Sequence, residues 1–182
     1  FDDCQNLVKS MFNDEKFSKT INMSGVNSIN WARIITQAVY YFYAFFKVGN
    51  SQPLSFSVPT GNFGDIYAGY LAKKLGLPID KLIVATNKND ILHRAISGGD
   101  YIQKKVEETN TPSMDIQIAS NFERLLYDVK DCNSEATKDV MNKIKNNNYK
   151  IDKNDLDKIK LNFISEMLDE KETVEMIKII NE

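Results

Sequence analysis

Apolar positions along this chain switch between two periods, and the switches lay out its elements. Leu7, Val8, Met11 and Phe12 share one face of a helix over residues 1 to 13. Ile21 to Val26 has the length and composition of a short strand. A helix from about Asn30 to Val48 follows, with Ser28 placed to cap it. Its stretch from Trp31 to Phe46 is apolar nearly all round, which predicts burial on most sides. Gly49 to Pro53 breaks that helix. Leu54 to Val58 reads as a strand that feeds a turn with two glycines, Gly61 and Gly64. From that turn a helix runs from about Asn62 to Leu75, ended by Gly76 and Pro78. Lys81 to Thr86 contains the unbroken run Leu82-Ile83-Val84-Ala85, typical of a parallel strand covered on both faces. A short helix from about Asp90 to Ile96 and a Gly98-Gly99 turn complete this half.

Strand alternating with helix predicts an α/β fold, an open and mostly parallel sheet flanked by helices. The second half differs. Asn121 to Val129 is helical, with Phe122, Leu125 and Leu126 facing inward. Beyond Asn133 the chain is rich in Lys, Asn, Asp and Glu. Its apolar residues recur at helical spacing: Val140 and Ile144, Leu156 and Ile159, Phe163 and Met167, then Val174, Ile177 and Ile180. Two to four amphipathic helices are expected there, with Asn146 to Asn148 as a loop. The chain thus divides into an α/β portion, residues 1–130, and a peripheral helical extension, residues 131–182. Phe1 opens directly into one helical pattern and Thr173 to Glu182 stops inside another, so both termini are expected to be cut from something longer.

A chain of 182 residues with 42% hydrophobic content can bury a real core as one domain or a large piece of one. A net charge of −2 offers no surface for nucleic acid or membrane. No apolar run reaches the roughly 20 residues that span a bilayer. Cys4 and Cys132 form neither a disulfide framework nor a metal-ligand pattern, which suits a reducing cytosol and a cytoplasmic protein. With His93 as the single histidine, a histidine-rich metal site or a Ser-His-Asp triad lacks material. Oligomeric state leaves no mark in the pattern.

Chemistry concentrates at the glycine turn. The first N–H groups of a helix lack internal partners, and the helix dipole favours negative charge there. Glycines let backbone approach an anion and adopt positive φ. A phosphate pocket at the carboxyl end of a buried strand is one reading; a strand-to-helix turn needing glycine for its geometry is the other. The turn lacks the Gly-Lys-Ser/Thr ending of a Walker A loop and the third glycine of a dinucleotide fingerprint. Asn27, Ser28 and Arg33 form a second polar cluster at a strand-to-helix transition. They serve as helix caps or as ligands to an anion, which a guanidinium can bind bidentately. Thr86 to Asp90 repeats a polar turn at the same sheet edge. Lys73 and Lys74 lie about 16 Å along the helix from Asn62, out of reach of an anion at the turn.

Four segments together resemble threonine synthase: Asn27-Ser-Ile-Asn-Trp-Ala-Arg33, Ser57-Val-Pro-Thr-Gly-Asn-Phe-Gly-Asp65, Ala85-Thr-Asn-Lys-Asn-Asp90, and Pro112-Ser-Met-Asp-Ile with Ser120-Asn-Phe-Glu-Arg-Leu-Leu126. They occur in that family in this order, and Phe1-Asp-Asp-Cys-Gln5 is similar too. The match spans about residues 1 to 127 and fits best the branch with a long helical insertion, which would account for residues 133 to 182. The resemblance implies fold type II of the pyridoxal-phosphate enzymes, akin to tryptophan synthase β. It implies conversion of O-phospho-L-homoserine and water to L-threonine and phosphate, with pyridoxal 5'-phosphate as electron sink. By motif, Thr60, Gly61, Asn62, Phe63 and Gly64 would cradle the cofactor's phosphate. Asn27, Ser28 and Arg33 would approach the substrate's phosphate, with Asn62 open to both.

The family's Schiff-base lysine, in a Phe-Lys-Asp-like motif, would lie upstream of Phe1. A segment resembling Asp-Pro-His-Thr-Ala and the hydroxyl partner of the pyridine nitrogen are also absent. The chain therefore carries no catalytic residue of its own on this reading, and the isolated polypeptide is expected to be inactive. Two alternatives stand beside it: a related phospholyase that eliminates phosphate to a keto acid, and a non-catalytic phosphate-binding module.

Overall fold

The computed structural model describes residues 2–21, 23, 27–49 and 52–181. Among them lie three strands, β1 (Leu54–Pro59), β2 (Ile79–Thr86) and β3 (Phe163–Met167), paired in the order β1-β2-β3 with every pairing parallel. The helices are α1 (Asp2–Asn13), α2 (Glu15–Ile21), α3 (Trp31–Val48), α4 (Gly64–Lys74), α5 (Ile91–Gly98), α6 (Phe122–Val129), α7 (Ser134–Lys145), α8 (Lys153–Lys160) and α9 (Glu170–Asn181). The open parallel α/β architecture agrees with the alternation in the sequence. The strand expected over Ile21 to Val26 falls almost wholly outside the described residues; Ile21 itself closes α2.

β1, α4 and β2 form one strand–helix–strand unit. Ile66, Ala68 and Ala72 of α4 pack on Leu82 and Val84 of β2 in the core. Gly69 lets α3 close onto α4: a Cβ there would stand 2.5 Å from the Tyr41 ring and 2.9 Å from Leu82. Tyr41 meets Phe56 of β1 edge-on at 5.0 Å and donates its hydroxyl to the Asp65 carbonyl at 2.8 Å. The expectation that α3 is buried on most sides is not met. Ile34, Ala38 and Tyr41 are buried, whereas Tyr40, Tyr43 and Phe46 are 63–72% exposed. A largely apolar helix with one open face marks a large exposed hydrophobic surface.

The C-terminal extension is not purely helical. Phe163 and Met167, read as one helical face, belong to β3, which continues the sheet beside β2 with Phe163 opposite Leu82. Positions four apart share a face in a strand as well as in a helix, so that pair could not separate the two periods. Nor are these residues all peripheral. Phe163 is fully buried, and Val140, Ile144 and Ile159 of α7 and α8 join the core. The Asn146–Asn148 loop forms as expected, and Asn147 latches onto Gln103 through both of its amide atoms.

A candidate phosphate-binding cleft

β1 ends at Pro59, and the Thr60 amide extends the ladder by one bond to the Ala85 carbonyl, 3.1 Å. The chain then turns into α4. Neither Gly61 nor Gly64 takes a positive φ; Phe63 does, at +65°. A left-handed non-glycine residue costs about 1–2 kcal/mol. Burial offsets it here: the Phe63 ring is fully buried, edge-on to Phe122 at 5.2 Å and tilted over Phe163 at 5.5 Å. The glycines supply room instead. A Cβ on Gly61 would lie 3.0 Å from the Ser113 carbonyl, and one on Gly64 would lie 3.0 Å from the Asn121 side chain and 3.2 Å from Ile34. The N–H groups of Gly61, Asn62, Phe63 and Gly64 donate to no acceptor among the described residues.

The Asn27–Arg33 segment faces this turn. Asn30, not Ser28, caps α3, accepting from the Ala32 amide at 2.9 Å. Asn27 closes its own turn by accepting from Ile29 at 3.0 Å. Ser28 is thereby released from capping. Its Oγ is buried without a hydrogen-bond partner, and so is Oδ1 of Asn62. A buried polar atom without a partner costs about 1–3 kcal/mol, so two of them at one place call for an explanation. Both residues line a cleft of about 530 Å³ together with Asn27, Arg33, Pro112, Ser113 and Ile116, with Cys4 and Val8 of α1 at its side. A hollow of about 200 Å³ shares Ser28, Arg33, Asn62 and Ser113 with that cleft and is floored by Gly61 and Gly64.

Of the residues singled out by sequence, Asn27, Ser28, Arg33, Gly61, Asn62 and Gly64 converge on these two spaces. Thr60 and Phe63 do not line them. The Thr60 hydroxyl is committed to the Asp65 carboxylate at 2.5 Å, and Phe63 anchors the turn from beneath. Asp65 also accepts from the Ile66 amide at 2.8 Å, so a carboxylate already sits at the start of α4. Burial raises its pKa, and the bonds from Thr60, Ile66 and its own amide pull the other way.

Sequence reasoning gave no role to the residues that assemble the cleft. Asn121 is fully buried; its amide N donates to the Asn62 carbonyl at 3.0 Å and its Nδ2 to the Ser28 carbonyl at 2.9 Å. Asn87 and Asn89, in the polar turn from Thr86 to Asp90, hold the loop that carries Ser113. Asn87 donates to Thr109, Thr111 and Asp115, and Asn89 donates to Asp115 and the Glu107 carbonyl. A run of buried-type amides at the end of a buried strand was the available signal. His93 lines neither space. Among the described residues there is no cluster able to hold a metal ion, and no helix is long and apolar enough to cross a membrane.

The parallel sheet, the strand–turn–helix unit and the cleft at the carboxyl edge are those of fold type II, the class to which solved threonine synthases belong. The pyridoxal-phosphate-bound threonine synthase from Brucella melitensis superposes with a TM-score of 0.86 at 50% identity over 94% of this chain and 38% of that one. The yeast enzyme superposes with a TM-score of 0.85 at 45% identity over 98% of this chain and 37% of that one. Among curated relatives, threonine synthase of Pseudomonas aeruginosa is 53% identical over 80% of this chain and 31% of its own length. That of Saccharomyces cerevisiae is 46% identical over the whole chain and 38% of its own length. No protein-family model matches. The chain belongs to the threonine synthase family, and it spans about a third of the length of the curated relatives it matches.

Proposed function

We propose that this chain supplies the phosphate-recognition part of a pyridoxal-phosphate-dependent threonine synthase acting on O-phospho-L-homoserine in the cytoplasm. The observation that carries the reading is the pair of unpartnered buried atoms, Ser28 Oγ and Asn62 Oδ1, at a cleft shared with Arg33, beside a hollow lined by Gly61 and Gly64, whose N–H groups have no acceptor among the described residues. A phosphate dianion fits such a place: it takes hydrogen bonds from hydroxyl, amide and guanidinium together. The Asn62 amide serves once turned, which exchanges the accepting Oδ1 for the donating Nδ2. The small residues fit as well, because side chains at Gly61 or Gly64 would press on the walls of the cleft.

When bound, pyridoxal phosphate supplies the electron sink. Residues of this chain bind and orient. Gly61 to Gly64 would hold the cofactor's phosphate through backbone N–H groups at the start of α4. Asn27, Ser28 and Arg33 would hold the substrate's phosphate, fixing the leaving group while the reacting carbons lie against the cofactor.

The protein expressed from its full reading frame should release threonine and phosphate from O-phospho-L-homoserine. Ser28→Ala and Arg33→Ala should raise KM for that substrate at least tenfold. Release of 2-oxobutyrate in place of threonine would make it a phospholyase with the same cleft. Unchanged KM in both variants would overturn the assignment of the cleft.

A further inference from the structure

Two loops far apart in sequence must meet for this cleft to exist, and one buried side chain joins them. Asn121 donates from Nδ2 to the Ser28 carbonyl at 2.9 Å and to the Asn62 carbonyl at 3.2 Å; its backbone N–H donates to Asn62 again at 3.0 Å. Its Oδ1 is held by Arg124 Nε at 3.0 Å, and Arg124 Nη2 donates to the Ile29 carbonyl at 2.6 Å. The guanidinium lies 5.1 Å over the Trp31 ring at the start of α3. Gly64 is the neighbour that leaves Asn121 this position, since a Cβ there would stand 3.0 Å from Nδ2.

Every bond that Asn121 makes to the two loops ends on backbone of Ser28 or Asn62, the residues whose buried side-chain atoms have no partner. We infer that Asn121, oriented by Arg124, is a positioning residue that sets the spacing of the Ser28 and Asn62 side chains and so the affinity of the cleft for phosphate. It touches no ligand itself. The inference rests on the proposed phosphate reading of the cleft and adds the device that assembles it.

The isosteric change Asn121→Asp tests this in the full-length protein. It keeps an acceptor for Arg124 and puts a carboxylate oxygen against two carbonyls, which pushes the loops apart. The dissociation constant of inorganic phosphate should rise at least tenfold, and KM for a phosphorylated substrate should rise more than kcat falls. Arg124→Lys, which keeps one donor toward Asn121, should give a smaller rise than Arg124→Ala. Combining Asn121→Asp with Ser28→Ala should weaken phosphate by less than the product of the two single effects, because Asn121 acts in part through the Ser28 hydroxyl. Val140→Ala, a core truncation on α7, controls for lost stability and should leave phosphate affinity within twofold. Phosphate affinity unchanged in Asn121→Asp but weakened in Ser28→Ala would reduce Asn121 to a structural residue. Affinity unchanged in Ser28→Ala and Arg33→Ala would instead remove the phosphate reading, and this inference with it.

Discussion

Two polar turns stand side by side at the carboxyl edge of this sheet, one after β1 and one after β2, and each leads into a helix. By position they are equivalent, and in open parallel sheets such turns are where ligands bind. By hydrogen bonding they are opposites. After β2, Asn87 and Asn89 are buried and saturated: Asn87 donates to Thr109, Thr111 and Asp115 and accepts from Asn89, while Asn89 donates to Asp115 and the Glu107 carbonyl and accepts from the Glu107 amide. After β1, four N–H groups and two buried side-chain atoms are left over among the described residues. Location at the edge is therefore not what marks a binding site. Unspent hydrogen-bonding capacity is, and the saturated turn serves the open one by holding the Ser113 loop over Gly61.

The largest expected effect lies in the saturated turn. Asn87→Ala removes the donor for three groups and leaves Asp115 and the Asn89 amide short of partners. It should cost about 2–4 kcal/mol in chemical denaturation, with loss of the Ser113 loop's protection from proteolysis. A cost below 1 kcal/mol would erase the contrast from that side. In the open turn, Gly64→Ala places a methyl 3.0 Å from Asn121 and 3.2 Å from Ile34. About 1–3 kcal/mol of overpacking is expected, and phosphate affinity should fall together with stability because the displaced neighbour is the one that bridges the loops.

Much of this was legible in advance. The strand–turn–helix order and the parallel sheet follow from periodicity, while grouping Asn62 with Ser28 and Arg33 follows from the resemblance to threonine synthase. Less legible was anything set by contacts distant in sequence. That Phe63 rather than a glycine takes the left-handed conformation depends on Phe122 and Phe163, 59 and 100 residues away. Ser28 looked like a cap because nothing local distinguishes it from Asn30, which takes that task. Phe163 to Met167 looked helical because a four-residue spacing suits both periods, and only pairing with β2 resolves it. Asn121 carried no visible role, since its partners are carbonyls of residues 59 and 93 positions back.

Ser28→Ala is the sharpest single discriminator between the turns. The hydroxyl it deletes has no partner among the described residues, so removing it should leave stability unchanged or slightly raised. Phosphate affinity should nonetheless fall about tenfold, near 1.4 kcal/mol. Titration of phosphate beside a thermal melt separates the two. A variant that loses stability and keeps its affinity would place Ser28 among the structural residues and make the two turns alike.

The smallest effect, and the one with opposite signs, concerns the carboxylates of the two turns. Asp65 in the open turn has its pKa raised above 3.8, first by burial. Asp115 in the saturated cluster has its pKa lowered: burial opposes this, but bonds from the Thr109 hydroxyl and amide and from Asn87 and Asn89 outweigh it. A raised folded pKa means that the native state holds the proton more tightly than the unfolded chain. The contribution of Asp65 is then full below 3.8 and is lost as pH rises through its folded value. A lowered folded pKa reverses the sign. The contribution of Asp115 is present above 3.8 and is lost as pH falls through its folded value. Melting temperatures followed from acid to neutral pH should therefore decline less on the neutral side in Asp65→Asn than in the parent. Asp115→Asn should be less stable above pH 3.8 and lose less on acidification. If Asp65→Asn instead steepens the decline, its carboxylate is stabilised by the free amides of the turn, and the cleft is already neutralised from within by its own side chain.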